Sequence, residues 1–266
     1  MKRYVWFLWI IGLMTIYCFS QKVNIDELDK KGGLYYKKES GILFSGNAIK
    51  LDPDGVVLEN IPILNGLING TWIVNNDEGQ KVGEGTFKNG SGVLYLYHNY
   101  DKITLLEETH YENNLRQGKS VRYFESGQPA QETFFDKDLL HGTDTILREN
   151  GTIVISQEWK HGMLDGKWLE YYETGEKEAE GTFKNGNGTL IRWYKNGAIS
   201  EITPYKKSQL HGTSITWYQN GKKSSETHLK NGVAHGELIE WDENGNVTRD
   251  EFYKNGVFEY AKIQKR

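Results

Sequence analysis

The stretch Gly166-Lys167-Trp168-Leu169-Glu170-Tyr171-Tyr172-Glu173-Thr174-Gly175, continued by Glu180-Gly181-Thr182-Phe183-Lys184-Asn185-Gly186, is a phrase that the rest of the chain repeats. A glycine opens a short segment, a second glycine breaks it nine residues later, a second segment follows, and a further Asn-Gly closes the unit. Gly46, Gly70, Gly92, Gly118, Gly142, Gly166, Gly188, Gly212 and Gly236 are the openers, at spacings of 24, 22, 26, 24, 24, 22, 24 and 24. Only the third unit lacks the second glycine and has Asp101 instead. Self-similarity at a fixed period of this length identifies a repeat array and takes precedence over any local reading.

Counting each opener as position 0, position +3 holds residues such as Ile73, Val121, Leu169, Ile191, Ile215 and Ile239. Position +5 holds Tyr123, Tyr171, Trp193, Trp217 and Trp241. Apolar residues two apart share a face of a strand. Asn precedes the +9 glycine in Asn150-Gly151, Asn196-Gly197, Asn220-Gly221 and Asn244-Gly245, a hairpin signal in which both residues accept positive φ. A second strand carries acidic residues at +14 (Glu84, Glu132, Glu180, Glu226) and bulky ones at +17 (Ile63, Phe87, Phe135, Trp159, Phe183, Tyr205). The expected fold is therefore all-β: an elongated antiparallel meander of about nine stacked hairpins of ~24 residues. In it, +3, +5 and +17 form one apolar ladder. The near-copies GTFKNGSG (85–92) and GTFKNGNG (181–188) each drop two residues before the next opener. A change of two leaves every side chain on its face.

Residues 1–20 differ from the array. Lys2 and Arg3 precede the apolar run Tyr4–Phe19, and Cys18 and Ser20 stand at minus three and minus one from Gln21. This reads as a secretory signal peptide cleaved between Ser20 and Gln21 and implies export to the periplasm, the outer surface or the medium. The alternative, an uncleaved anchor, is served poorly by so short a run. Residues 21–45 are expected to cap the array at 46–256, and 257–266 to form a C-terminal cap or tail. Removing the leader takes away two of 32 basic residues and none of 36 acidic ones, leaving a net charge of −6. That argues against nucleic acid and against strong binding to anionic membranes. The one cysteine, Cys18, lies in the leader, so the remainder has no disulfide.

The unit quoted above resembles the MORN-repeat variant family of bacteria, over residues 46–256. The resemblance implies an elongated sheet of stacked hairpins. The family name also carries the label of an antitoxin component of toxin–antitoxin systems, a cytoplasmic role that an export signal opposes.

No Ser/His/Asp arrangement, HExxH, phosphate-binding glycine loop or cysteine cluster is present, so the chain reads as no enzyme with no cofactor. The acidic column is expected to pair with Lys or Arg rather than to hydrolyse glycosidic bonds, because it lies on an open sheet without a pocket. His141, His211 and His235 each precede an opener, and His161 precedes Gly162. Equivalent positions in adjacent units lie about 10 Å apart, too far to share an ion, so turn-lining roles and no metal are expected. Position +6 carries Phe124, Tyr172, Tyr194 and Tyr218, an aromatic stripe assigned to the face opposite +5 and the candidate binding site. The structural glycines are Gly70, Gly118, Gly142, Gly166, Gly188, Gly212 and Gly236. The function expected is a non-catalytic scaffold for an unknown protein partner. Carbohydrate binding is the alternative, and an edge-to-edge homo-oligomer is a further possibility.

Overall fold

A computed structural model describes residues 21–98 and 104–262. The leader and Asp101 lie outside the described residues. The chain is all-β: 23 strands join in one hydrogen-bonded sheet, and Leu28–Lys31 pairs with Leu34–Lys37 in a separate two-stranded sheet. Lys22–Asn24 runs parallel to Gly46–Leu51, while the successive strands Met163–Tyr171, Lys177–Lys184, Asn187–Trp193 and Ile199–Lys206 pair antiparallel, as the meander requires.

The two turns of each unit differ in kind. At +19/+20 both residues have positive φ, as in Asn185 (48°) and Gly186 (74°), the signature of a type I′ hairpin turn. The same holds where neither residue is glycine: Asn113/Asn114, Lys137/Asp138 and Lys207/Ser208. At +8/+9 only the glycine is left-handed. Gly151 has φ 81°, Asn150 does not, and the Gly151 amide donates to the Arg148 carbonyl at 2.8 Å. This is a type I turn closed by one left-handed residue. Asn150 is selected instead because its Oδ1 accepts the Thr152 amide at 3.0 Å. The expectation of two positive-φ residues at +8/+9 is thus corrected.

The opener is a bulge. Gln157 pairs with Trp168 but Trp159 pairs with Leu164, so the strand Met163–Tyr171 carries two extra residues around Gly166, whose φ is 136°. Where an opener follows the previous one by 22 residues the bulge is absent. Ala179↔Arg192 through Lys184↔Asn187 run without a shift, and Gly188 sits in ordinary extended backbone. The two residues missing from the spacing are the two residues of the bulge. Gly188 must still be glycine, because a Cβ there would stand 2.4 Å from the Thr182 carbonyl oxygen and 2.7 Å from the Phe183 ring.

The register overturns one expectation about faces. Gly166 pairs with Phe183, Trp168 with Gly181, Leu169 with Glu180 and Glu170 with Ala179. Directly paired residues point the same way, so 0, +2 and +4 share a face with +17, +15 and +13. Position +3 lies on the other face with +14, and +5 lies there with it. The +17 residues therefore do not stack with +3 and +5. The apolar pattern alone does not fix the phase of the second strand; the number of residues through the turn does.

The chain forms two compact units: residues up to 129 with 135–138, and 130–134 with 139 onward. In the first, Ala48, Ile61, Ile63, Ile68 and Phe87 are essentially fully buried, closed over by Leu28, Tyr35 and Phe44 from the N-terminal segment. Trp72, Phe87 and Tyr111 pack as a trio with centroids 5.6–5.8 Å apart. In the second, Leu164, Ala179, Phe183 and Leu190 are the buried set, and Trp168, Phe183 and Tyr205 form the matching trio. The two trios sit on the two 22-residue connections, where bulge-free pairing lets a phenylalanine lie flat over glycines on either side.

Candidate interaction surface

Position +6 is where the strand ends. Tyr172 is the first residue of its turn: its amide donates to the Glu176 carbonyl, and its own carbonyl accepts the Gly175 amide. Its hydroxyl reaches the next hairpin and donates to the carbonyl of Trp193 at 2.7 Å. Tyr194 does the same to Trp217 and Tyr218 to Trp241. The Arg148 guanidinium donates to Tyr171, and the His98 ring lies 3.1 Å from the Tyr123 carbonyl oxygen. The +6 side chain is thus a clamp between successive hairpins, and Phe124, which has no polar group, is the exception among these. The tyrosines do not stand on the second face of the sheet, as the alternation suggested; the turn takes them past it. Partial burial, then the nearby charge of Glu178, pushes the Tyr172 phenol above its ordinary range.

The open aromatic surface is at +5 instead. A second register shift, between Glu170 and Tyr171, leaves Glu178 as a bulged residue and sets Tyr171 opposite Lys177. The same arrangement pairs Leu147 with Ile153, Trp193 with Ile199, Trp217 with Lys223 and Trp241 with Val247. Ile153, Ile199 and Val247 are about 40% exposed, and the ring residues are half-buried. Aromatic, aliphatic and lysine side chains therefore alternate along one face of the second unit. Beside Trp193 the strip deepens into an open groove of about 410 Å³, lined by Tyr172, Lys177, Glu180, Tyr194 and Lys195. Lys195 lies 5.4 Å over the Tyr172 ring, and Lys223 lies 5.6 Å over Trp241.

The acidic column lies beside this strip and is neutralised. Glu84 pairs with Lys81 at 2.8 Å, Glu180 with Lys177 at 2.5 Å and Glu226 with Lys223 at 2.7 Å. Each lysine is three residues before its glutamate on the same strand, and the bulged residue between them returns both to one face. On the opposite face Glu170, 7% exposed, accepts from the Trp168 indole at 2.8 Å and is paired with Arg192, which also lies 3.4 Å from Glu201. Burial alone would lower the Arg192 pKa, but its hydrogen bonds to Glu170 and the two carboxylate charges raise it.

The +19/+20 turns form their own column. Each +20 amide donates to the carbonyl two residues before its unit's opener, from Gly66 to Phe44 (2.8 Å) through Gly256 to Ala234 (2.8 Å). The residue just before the opener accepts the +19 amide: Ser45 from Asn65, Asn69 from Asn89, Gln117 from Lys137 and His235 from Asn255. Histidine at this position is therefore a turn cap in His235. Asn114, buried to 1% exposure, is a residue that the repeat pattern does not single out. Its Nδ2 donates to the carbonyls of Gly33 and Gly66, and its Oδ1 accepts the Ile68 amide. Ser208 accepts the Leu164 amide in the corresponding place. The signal was available: both residues replace the glycine of the turn that follows a 22-residue spacing.

Four segments match the family model described as MORN repeat variant: residues 116–137, 164–185, 210–231 and 234–255, about a third of the chain. Each runs from two residues before an opener to the first residue of the closing turn. The antitoxin label has no counterpart in these matches. No curated protein matches the chain. Among solved structures, the crystal structure of TcdB2-TccC3 without its hypervariable C-terminal region aligns with 85% of this chain and 13% of its own, at 16% identity and a TM-score of 0.19. This chain therefore spans a small fraction of that protein, and so low a score carries no shared fold.

Proposed function

We propose that the chain is an exported, non-catalytic repeat scaffold that holds a protein partner at the cell envelope, and that the +5 strip of the second unit is the holding surface. The observation that carries this reading is the run of Tyr171, Trp193, Trp217 and Trp241 interleaved with exposed Ile199 and Val247. Contiguous half-exposed aromatic surface rimmed by charge is costly to leave in water and suits a partner. Glu180 and Glu226 beside it are paired with lysines, in keeping with a holding role. Among the described residues no helix is long and apolar enough to cross a membrane. The test is capture from an envelope extract by the chain beginning at Gln21, compared with Trp193→Ala/Trp217→Ala/Trp241→Ala. One stoichiometric protein that the triple variant loses supports the scaffold; equal recovery by both chains removes the strip as the site. Finding the native N-terminus at Gln21 in an exported fraction tests export.

A second reading is favoured by the groove beside Trp193, where an indole, two tyrosines and lysine–glutamate pairs would suit a sugar ring and its hydroxyls. A glycan array on which the wild type gives no signal above the triple variant rules it out.

A further inference from the structure

The unit opened by Gly142 differs from the others in a way the scaffold does not use. It carries histidine both just before the opener, at His141, and at the first turn residue, at His161. Position +19 is left-handed, with φ 49° at His161, and Asn65, Asn89, Asn185, Asn231 and Asn255 occupy it elsewhere. Asparagine is the usual choice in that conformation, so a histidine there gives up some backbone preference. The two rings lie 4.9 Å apart, and one nitrogen of each comes within 4.8 Å of the other. The Nδ1 of His141 is buried and accepts no hydrogen bond, whereas the residue before the opener accepts the turn amide in five other units. His161 is exposed, so water has access to its ring.

We propose that His141 and His161 together bind a first-row divalent metal ion of the Zn²⁺, Ni²⁺ or Cu²⁺ kind, with further positions open to water or to a partner's side chain. Neutral imidazole is the donor these ions prefer, and the orphaned Nδ1 of His141 is a ready lone pair. A ring nitrogen must approach to about 2 Å from the ion, so the two nitrogens, within 4.8 Å of one another, draw together as the ion binds. Equivalent positions in adjacent units are too far apart to share an ion, but the turn column brings together the two ends of one unit. The unit opened by Gly212 is the built-in control: His211 has the same orphaned Nδ1, but the residue facing it across the turn is Asn231.

The array supplies its own conservative variants. His141→Asn and His161→Asn install the residues that other units use at these positions, so the turn keeps its cap while the imidazoles go. The full chain is titrated with Zn²⁺ and with Ni²⁺ by calorimetry, and Zn²⁺ protection of individual histidines from diethylpyrocarbonate is read by mass spectrometry. The expected result is one equivalent bound, protection confined to His141 and His161, and affinity lowered at least about tenfold by either variant, the loss that even an outer-shell change commonly brings. His211→Asn leaves binding unchanged, and the metal-free melting temperatures of all three variants match the parent. Failure of the wild type to bind more metal than the double variant, or protection spread equally over His211 and His235, overturns the proposal.

Discussion

Asn114 is the residue on which most of the first unit's polar satisfaction depends. Its amide serves three backbone groups drawn from residues 33, 66 and 68. Truncation orphans the Gly33 carbonyl and the Ile68 amide at a buried site, while the Gly66 carbonyl keeps the Tyr35 amide, and each buried orphan costs about 1–3 kcal/mol. Asn114→Ala is therefore expected to lower stability by about 3–5 kcal/mol, read as the urea midpoint at constant slope. Ser208→Gly gives up a single hydrogen bond and relieves a left-handed serine, so its cost should stay within about 1 kcal/mol. The +6 tyrosines have a smaller, repeated effect. Each of Tyr172→Phe, Tyr194→Phe and Tyr218→Phe removes one hydroxyl–carbonyl clamp for about 0.5–1.5 kcal/mol, and the three should add, since they lie in different hairpins. At this scale the sequence was only partly legible. The aromatic column at +6 was visible, but whether Tyr172 stands on a face or at a turn depends on φ at Gly175, which a list of residue types does not contain.

The opener shows how an element is set by two residues more or less. An opener that follows the previous one by 24 residues has room for a two-residue bulge and bends back with positive φ; one that follows by 22 has none, and the glycine becomes the bed for a ring. Gly188→Ala should therefore cost about 1–3 kcal/mol through overpacking against Phe183, measured by thermal melting. The remedy for a glycine of the other kind differs: Gly197 stands in open space with φ 82°, so Gly197→Asn should be close to neutral while Gly197→Val is not. Inserting two residues before Gly188 should be tolerated better than inserting one, because one residue sends the core side chains of the following strand to the wrong face. The spacings, the strands and the parity of the 22-residue units were all readable from periodicity. The phase between the two strands of a hairpin was not, because two bulges per unit intervene and neither is marked by a residue type that periodicity weighs. This is why periodicity groups +17 with +3 and +5 and assigns Trp193, Trp217 and Trp241 to the core.

For the molecule as a whole, pH reaches the core of the first unit through its phenols. Burial, followed by the charges of Glu59 and Asp138, pushes Tyr35 up to about 12. Burial likewise pushes Tyr111 to about 12, with Arg116 offsetting part of the rise. A phenol whose pKa is higher folded than unfolded favours the fold fully below the unfolded value near 10, and that contribution is lost as pH rises through 12. The first unit should therefore loosen between pH 10 and 12 by roughly 2 kcal/mol per tyrosine, and Tyr35→Phe/Tyr111→Phe should flatten the decline in a circular-dichroism melt series. Asp138 acts at the acid end. Burial raises its pKa, but the Arg116 hydrogen bonds and the charges of Lys30 and Arg116 outweigh that and hold the carboxyl below its usual range. Its contribution is present above the ordinary carboxylate range and disappears as pH falls through the lowered value. The array was legible from the first repeated phrase; the face proposed to hold a partner was not, since it depends on register. The most direct test uses the absence of cysteine from the chain beginning at Gln21. Two single-thiol variants are made, Ala179→Cys at a fully buried position on the core face and Ile199→Cys at a position 41% exposed opposite Trp193 on the strip. Thiol labelling rates are then measured under native conditions. The expected result is that the Ile199→Cys variant labels at close to the rate of an unfolded control, while the Ala179→Cys variant waits for global unfolding. Equal protection of both thiols, or faster labelling of the Ala179→Cys variant, would contradict the assignment of the faces and with it the proposed surface.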